Sequence, residues 1–318
     1  MKRKIIMVTC LLFFLIFINN IKTINVFNEK LTLEDKIREL LYQKYPFKIA
    51  QTLDNYAKVK YEYKNNYLLV TYLVNKDVLD TNRVFELKIS YNDIKDYVDI
   101  SKYEIIDILP DDGFNYDKNK KTIIFTFDDG PHKKNTLEIL NTLEEYKMSA
   151  TFFMVGEKFS NNQEIIKKVY ASHSDVGYHS YNHSILTKED PSKITDEFEM
   201  TDNLYYLYTK SHLNLTRPPY GLINDKVLKS INTSFILWDL DTNDWKYKDA
   251  KHIEKYVLNN INNGDIILFH DSYKSTVKAI KKLCEKLYLM DVQVLSINEY
   301  ASLYNINLEK GKMYYSFK

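Results

Sequence analysis

From residue 121 onward the sequence predicts an α/β protein, a (β/α) barrel with about seven parallel strands. A small α+β module and an N-terminal hydrophobic segment precede it. Two observations carry this expectation. Short apolar runs alternate with amphipathic helical patterns, which means parallel strands covered by helices. The runs number seven, one short of the usual eight. The chain is also large enough: 318 residues, 45% of them hydrophobic, suffice for one large core or two domains.

The elements are read in chain order. Lys2, Arg3 and Lys4 precede IIMVTCLLFFLIFI, residues 5–18, and a basic start before an apolar stretch fits a secretory signal. Cleavage sites favour small residues, yet no Ala, Gly or Ser occurs before Ala50. Residues 1–24 are therefore expected to be an uncleaved signal-anchor, long enough over 5–24 to span a bilayer. A cleaved signal peptide is the alternative. The basic flank places the rest of the chain outside the membrane, at the cell envelope. MVTC is a poor match to a lipoprotein cysteine, and Cys10 lies too early in the run.

Residues 25–117 read as a spacer module. LTLEDKIRELLYQ has helical spacing and a Thr-x-x-Asp start resembling a capping box. VKYEY and YLLVTYLV flank Lys64-Asn65-Asn66 as a hairpin, VFELKIS supplies a third strand, and ILPDDG, 108–113, looks like a linker. No catalytic constellation is visible there. Residues 118–305 carry the barrel pattern. Strands are expected at IIFTF, ATFFMV, DVGY, NLT, FILWDL, DIILF and VQVLSI, with helices between, the longest from about Pro191 to Lys210. Residues 306–318 read as a C-terminal tail.

Lys and Arg number 44 against 43 Asp and Glu, so there is no basic footprint for nucleic acid. Cys284 falls on the apolar stripe Val277, Ile280, Leu283, Leu287 and reads as core; with Cys10 in the apolar segment, no internal disulfide is expected.

Parallel strands bring their C-terminal ends to one face. Polar residues follow five of the runs: Asp128 and Asp129, then His179 and His183, then Arg217, Asp241 and His270. Singly each is weak. A lone HxxxH is more often structural than metal-binding, and a lone Asp-Asp is usually a solvated turn. Five coincident placements point to a site. The i, i+4 histidines are expected on one side of a helical turn.

TFDDGP, HSYNH, RPPYG, DTNDW and LFH occur in that order. They resemble the five motifs of the polysaccharide deacetylase family, also called carbohydrate esterase family 4 or the NodB-homology domain, over about residues 121–305. The resemblance implies a distorted seven-stranded barrel and metal-dependent removal of acetyl groups from N-acetylated sugars. It implies Asp129, His179 and His183 as ligands of a divalent metal, zinc by default, with cobalt, nickel, manganese or iron compatible with a mixed N/O site. It implies Asp128 as general base paired with Arg217, and His270 as general acid oriented by Asp241. The backbone N–H of Tyr220 would be an oxyanion donor, and Trp245 and Leu268 would hold the acetyl methyl. The plainer readings are a strand-end cap for Asp241 and ordinary core for Trp245 and Leu268. Asp239 does not fit the DxxDW frame. His132, His173, His212 and His252 have no partner at useful spacing.

Two positions depart from the family pattern: Tyr178 stands where Asn is usual, and His173 where Gly is usual. Neither removes a chemical group. The expected substrate is a cell-envelope polysaccharide, foremost N-acetylglucosamine of peptidoglycan, since the intact DxxDW resembles enzymes acting on that sugar. Chitin oligomers, an exopolysaccharide, O-acetylated xylan, or glycan binding without catalysis are the alternatives. A glycosidase using Asp128 and Asp129 fails on geometry, because such pairs lie at least ~5 Å apart across the bond.

Overall fold

The computed structural model of the chain describes residues 32–63, 67–74, 76–79, 84–97, 114 and 116–318. The hydrophobic segment 1–24, the 64–66 turn and the 108–113 linker lie outside them. Among the described residues no helix is long and apolar enough to cross a membrane.

The N-terminal module holds helices α1 (Leu33–Lys44) and α2 (Phe47–Tyr56) and an antiparallel sheet β1 (Lys58–Tyr63), β2 (Tyr67–Leu73), β3 (Phe85–Ser90). Thr32 caps α1 with the expected box, its hydroxyl accepting from Asp35 N while the Asp35 carboxylate accepts from Thr32 N. The sheet alternates cleanly: Leu68, Val70 and Tyr72 are buried against the helices, and their β2 neighbours are not. Sequence patterning missed α2, whose FKIAQTLDNY buries Ile49, Ala50 and Leu53 in this small core.

The second unit is a parallel sheet with helices packed on it. Its strands are β4 (Thr122–Gly130), β5 (Ala150–Met154), β6 (Asp175–Tyr178), β7 (Leu215–Thr216), β8 (Ser234–Ile236), β9 (Leu240–Asp241), β10 (Ile266–His270), β11 (Gln293–Leu295) and β12 (Met313–Tyr314). Their order is β12-β8-β7-β6-β5-β4-β10-β9, and β11 pairs with the first half of β4. The helices are α3 (Asn135–Glu145), α4 (Gln163–Ala171), α5 (Pro191–Thr209), α6 (Asp225–Ser230), α7 (Asp244–Tyr247), α8 (Ala250–Asn260), α9 (Lys274–Leu289) and α10 (Ile297–Tyr304).

This is the expected fold class, with two differences in strand count. FILWDL forms two strands, because the chain leaves the sheet at Leu237–Asp239 and β8 and β9 do not pair with each other. The edge strands of the sheet are β12, which pairs with β8, and β9. Residues 306–318 are not a free tail. Met313–Tyr314 pair with β8, Phe317 stacks on Tyr300, and the Lys318 ammonium lies 2.7 Å from carboxylates of Asp239 and Asp265.

Strand parity sorts the core and positions the site. On β4, Ile123, Phe125 and Phe127 join the large cluster under the helices, whereas Ile124 joins the inner cluster with Phe153, Leu215, Ile236, Ile266 and Leu295. Thr126 and Asp128 share the inner face with Ile124 by the two-residue period. On β10, Ile267 and Phe269 face the helices and Ile266 faces inward, which puts Leu268 and His270 inward too. Cys284 is buried in the core as read from the sequence.

Candidate active site

The inner residues at the strand ends converge. β10 runs parallel to β4 with His270 opposite Asp128 and Leu268 opposite Thr126. Asp128 is 3% exposed, and its Oδ1 accepts from Arg217 Nη1 at 2.9 Å. Arg217 has no exposed surface. It also donates from Nη1 to Thr126 Oγ1, from Nε to Ile236 O and from Nη2 to Leu237 O. The last two carbonyls lie where the chain leaves β8 on its way to β9, so the guanidinium ties down that break. Phe153 and Trp238 lie against it, 4.3 and 5.4 Å from the ring centroids to Cζ. The arginine is thus held in one pose by four hydrogen bonds and two rings, and its charge answers the buried Asp128 carboxylate.

Adjacent residues on a regular strand face opposite sides, so Asp128 and Asp129 cannot both point inward from β4. The conflict is resolved by a register shift after Phe127 and by Asp129 adopting φ 72°. Its Oδ1 then lies 3.1 Å from His183 Nε2 and 3.6 Å from His179 Nε2. Burial alone would raise the Asp129 carboxyl. The close His183 imidazole and the charges of His179 and His270 outweigh it and hold the group at about 2.

His179 follows β6 on the inner face and is buried. Its Nδ1 lies 2.7 Å from Arg217 O, which fixes Nδ1 as the protonated nitrogen and leaves the Nε2 lone pair toward Asp129. Burial lowers its pKa, against the upward pull of Asp128 and Asp129. His183 reaches the same point, but not on a helical turn as the spacing suggested. Ser180 and His183 are left-handed, at φ 59° and 61°, and two such residues interrupt any helix. The loop is pinned instead by Gly156 N donating to Ser180 O and Glu157 N to Tyr181 O.

Donor atoms of Asp129, His179 and His183 all lie within 4.8 Å of one another. Asp129 Oδ1 is buried and without a well-directed hydrogen bond, surrounded by two imidazole nitrogens. One carboxylate and two imidazoles with converging lone pairs fit a divalent cation.

His270 is oriented by Asp244, a correction to the expected Asp241. Asp244 is fully buried, and its Oδ1 lies 2.7 Å from His270 Nδ1. Its remaining capacity is filled by His270 N, Thr276 Oγ1 and Trp245 N. Asp241 caps the turn beyond β9, accepting from Asn243 N at 2.8 Å. That is the plainer reading of Asp241, and the second aspartate of DTNDW was the signal to follow. Burial would lower the His270 pKa. The hydrogen bond and charge of Asp244, aided by Asp128 and Asp129, raise it to about 9.

Tyr220 sits in a left-handed turn, 62% exposed, with its ring 5.0 Å from that of His183. Leu268 is buried two residues before His270, opposite Asp241, and Trp245 is half-exposed beside Asp244. Thr126 was overlooked in the sequence; its place on the inner face of β4 was the available signal. Tyr178, the departure from the motif, points outward and packs edge-on against Phe198, away from the cage. His173 and His212 do find carboxylates, Glu299 and Asp202, 126 and 10 residues away along the chain.

The polysaccharide deacetylase family profile matches residues 115–234. The peptidoglycan-N-acetylglucosamine deacetylase PgdA of Listeria monocytogenes is 34% identical over 198 residues, 62% of this chain and 42% of its own length. A peptidoglycan-N-acetylglucosamine deacetylase of Bacillus cereus is 32% identical over 189 residues, 57% of this chain and 88% of that protein. The chain belongs to the polysaccharide deacetylase family. Another relative is PdaC of Bacillus subtilis, a peptidoglycan-N-acetylmuramic acid deacetylase, 31% identical over 70% of this chain and 47% of its own length. The solved structure of PdaC superposes with a TM-score of 0.58 at 32% identity, covering 60% of this chain and 94% of that one. The chain thus spans less than half the length of PgdA and PdaC.

Proposed function

We propose that this member of the polysaccharide deacetylase family hydrolyses the acetamido group of N-acetylglucosamine in peptidoglycan, outside the membrane. The observation that carries the reading is the arrangement around one opening. The Asp129–His179–His183 cage, an arginine-held carboxylate, Asp128, and a carboxylate-held imidazole, His270, stand together at the ends of β4, β6 and β10. A divalent cation in that cage, zinc by its donor set, would polarise the acetyl oxygen and acidify the attacking water.

The chain's own residues do the rest. Asp128, kept in one pose by Arg217, takes the proton from the water as its oxygen bonds to the acetyl carbon. The Tyr220 N–H stands as oxyanion donor, a role worth roughly 2.7–4 kcal/mol where it has been removed elsewhere. His270, protonated at neutral pH, gives its Nε2 proton to the nitrogen as the C–N bond breaks, and Asp244 holds the ring through Nδ1. Acetate and the free amino sugar leave. Base and acid are separate residues, so no single group must reverse roles.

The test is acetate release from N-acetylglucosamine oligomers and from peptidoglycan, with and without added zinc, followed by mass spectrometry of the digested glycan. Loss of acetyl mass on glucosamine is expected. Loss on muramic acid instead would assign the other sugar, as named for PdaC, and glycan binding with no acetate released under any metal would sink the reading.

A further inference from the structure

Asp129 is the one cage residue that lies within a strand, and it breaks the pleat of β4 to reach the cage. A non-glycine residue at φ 72° is sparsely populated, so its surroundings must hold it there. Those surroundings are specific. Lys158 Nζ donates to Asp129 O at 2.6 Å. Val155 N donates to Gly130 O at 2.8 Å, and Asp271 N approaches Asp128 O at 3.4 Å. The Asp271 carboxylate has no exposed surface and lies directly beneath Gly130, where a Cβ would stand 2.7 Å from its Oδ2. Thr136 Oγ1 donates to Asp271 Oδ2 and accepts from His132 N, and Asn135 Nδ2 donates to Asp271 O. The turn is therefore gripped from the β5 side by Lys158 and from the β10 side by Asp271.

We propose that Lys158 and Asp271 are positioning residues for the cage: Lys158 holds the Asp129 carbonyl, Asp271 supports Gly130, and together they aim the Asp129 carboxylate at His179 and His183. Both act through Asp129 and belong to neither the base nor the acid. The inference rests on reading the Asp129–His179–His183 cluster as a cation site. Lys158 is half-buried, so losing its ammonium leaves the core intact.

The experiment is zinc affinity, measured by competition with a chromophoric chelator, for the full chain and for Lys158→Met, Lys158→Arg and Asp271→Asn. Melting of the metal-free proteins is recorded alongside. Lys158→Met and Asp271→Asn are expected to weaken zinc binding about 10–100-fold, the usual cost of removing an outer partner of a ligand. Lys158→Arg, which keeps a donor, should recover part of the loss. Acetate release by Lys158→Met should fall at limiting zinc and approach that of the unmodified chain at saturating zinc. Unchanged affinity in both variants, with the parent binding zinc and releasing acetate, would overturn the positioning role alone. A parent chain that binds no zinc would overturn the cage and this inference together. A drop in metal-free melting with no loss of zinc affinity would make the two residues merely structural.

Discussion

At the scale of single residues, the His270 imidazole is governed by its neighbours. Its pKa of about 9 exceeds the usual 6.5, so protonation stabilises the folded state. That contribution is complete below about 6.5 and is lost as pH rises through about 9. In the metal-free protein, an NMR titration of His270 is expected to find the raised value. Filling the cage with zinc should lower it, because the cation offsets the pull of Asp128 and Asp129. Acetate release should accordingly fall on an alkaline limb below 9 in the zinc-loaded protein, and Asp244→Asn should move that limb toward 6.5. The same variant should reduce kcat by about 10²–10⁴-fold, the usual value of a positioned acid. Asp241→Asn should leave kcat nearly unchanged, and a large loss there would reinstate Asp241 as the orienting group. The motif frame was legible in the sequence, but which of its two carboxylates meets His270 was not. That depends on the chain turning through left-handed Asn243 after β9, which tucks Asp244 under β10.

At the scale of elements, the site is a product of strand parity, and parity was legible. Ile124, Thr126 and Asp128 alternate with Ile123, Phe125 and Phe127, and the first set had to face the side where His270 arrives. What parity could not announce was Asp129, which breaks the period, or the loop from His179 to His183, whose two left-handed residues have no composition signal. Parity also explains Gly177, on the inner face of β6. A Cβ there would lie 2.5 Å from Phe153 Cδ1, and Phe153 packs on Arg217. Gly177→Ala should destabilise the fold by about 1–3 kcal/mol through overpacking. It should also lower kcat by tilting the guanidinium that holds Asp128. Urea unfolding read together with turnover checks both; an effect on stability alone would uncouple Phe153 from the base.

At the scale of the whole molecule, the N-terminal module rests on the catalytic unit through α9. Tyr288 and Leu289 pack against the module's core, and Lys48 pairs with Glu285. None of these residues borders the site. A chain starting at residue 114 should therefore keep its turnover on short oligomers, with a lower melting temperature once Tyr288 and Leu289 are uncovered. Loss of turnover in a folded truncation would give the module a catalytic part. The two-unit plan was readable from the change of periodicity near residue 121. The ninth strand was not, since Met313–Tyr314 is two residues long and is defined only by the β8 edge it meets.

The break between β8 and β9 joins these scales. Breaking a buried ion pair by removing one partner typically costs about 3–5 kcal/mol, and Arg217→Met would also strand the carbonyls of Ile236 and Leu237. Active-site residues are usually a burden on the fold that carries them. Arg217 runs the other way, as both a keystone and a tool. A descendant of this protein that gave up hydrolysis could shed the half-buried His183 at little cost, yet would be held to Arg217 by its own architecture. In a lineage of such retired copies, the arginine should be the last trace of the lost chemistry to fade.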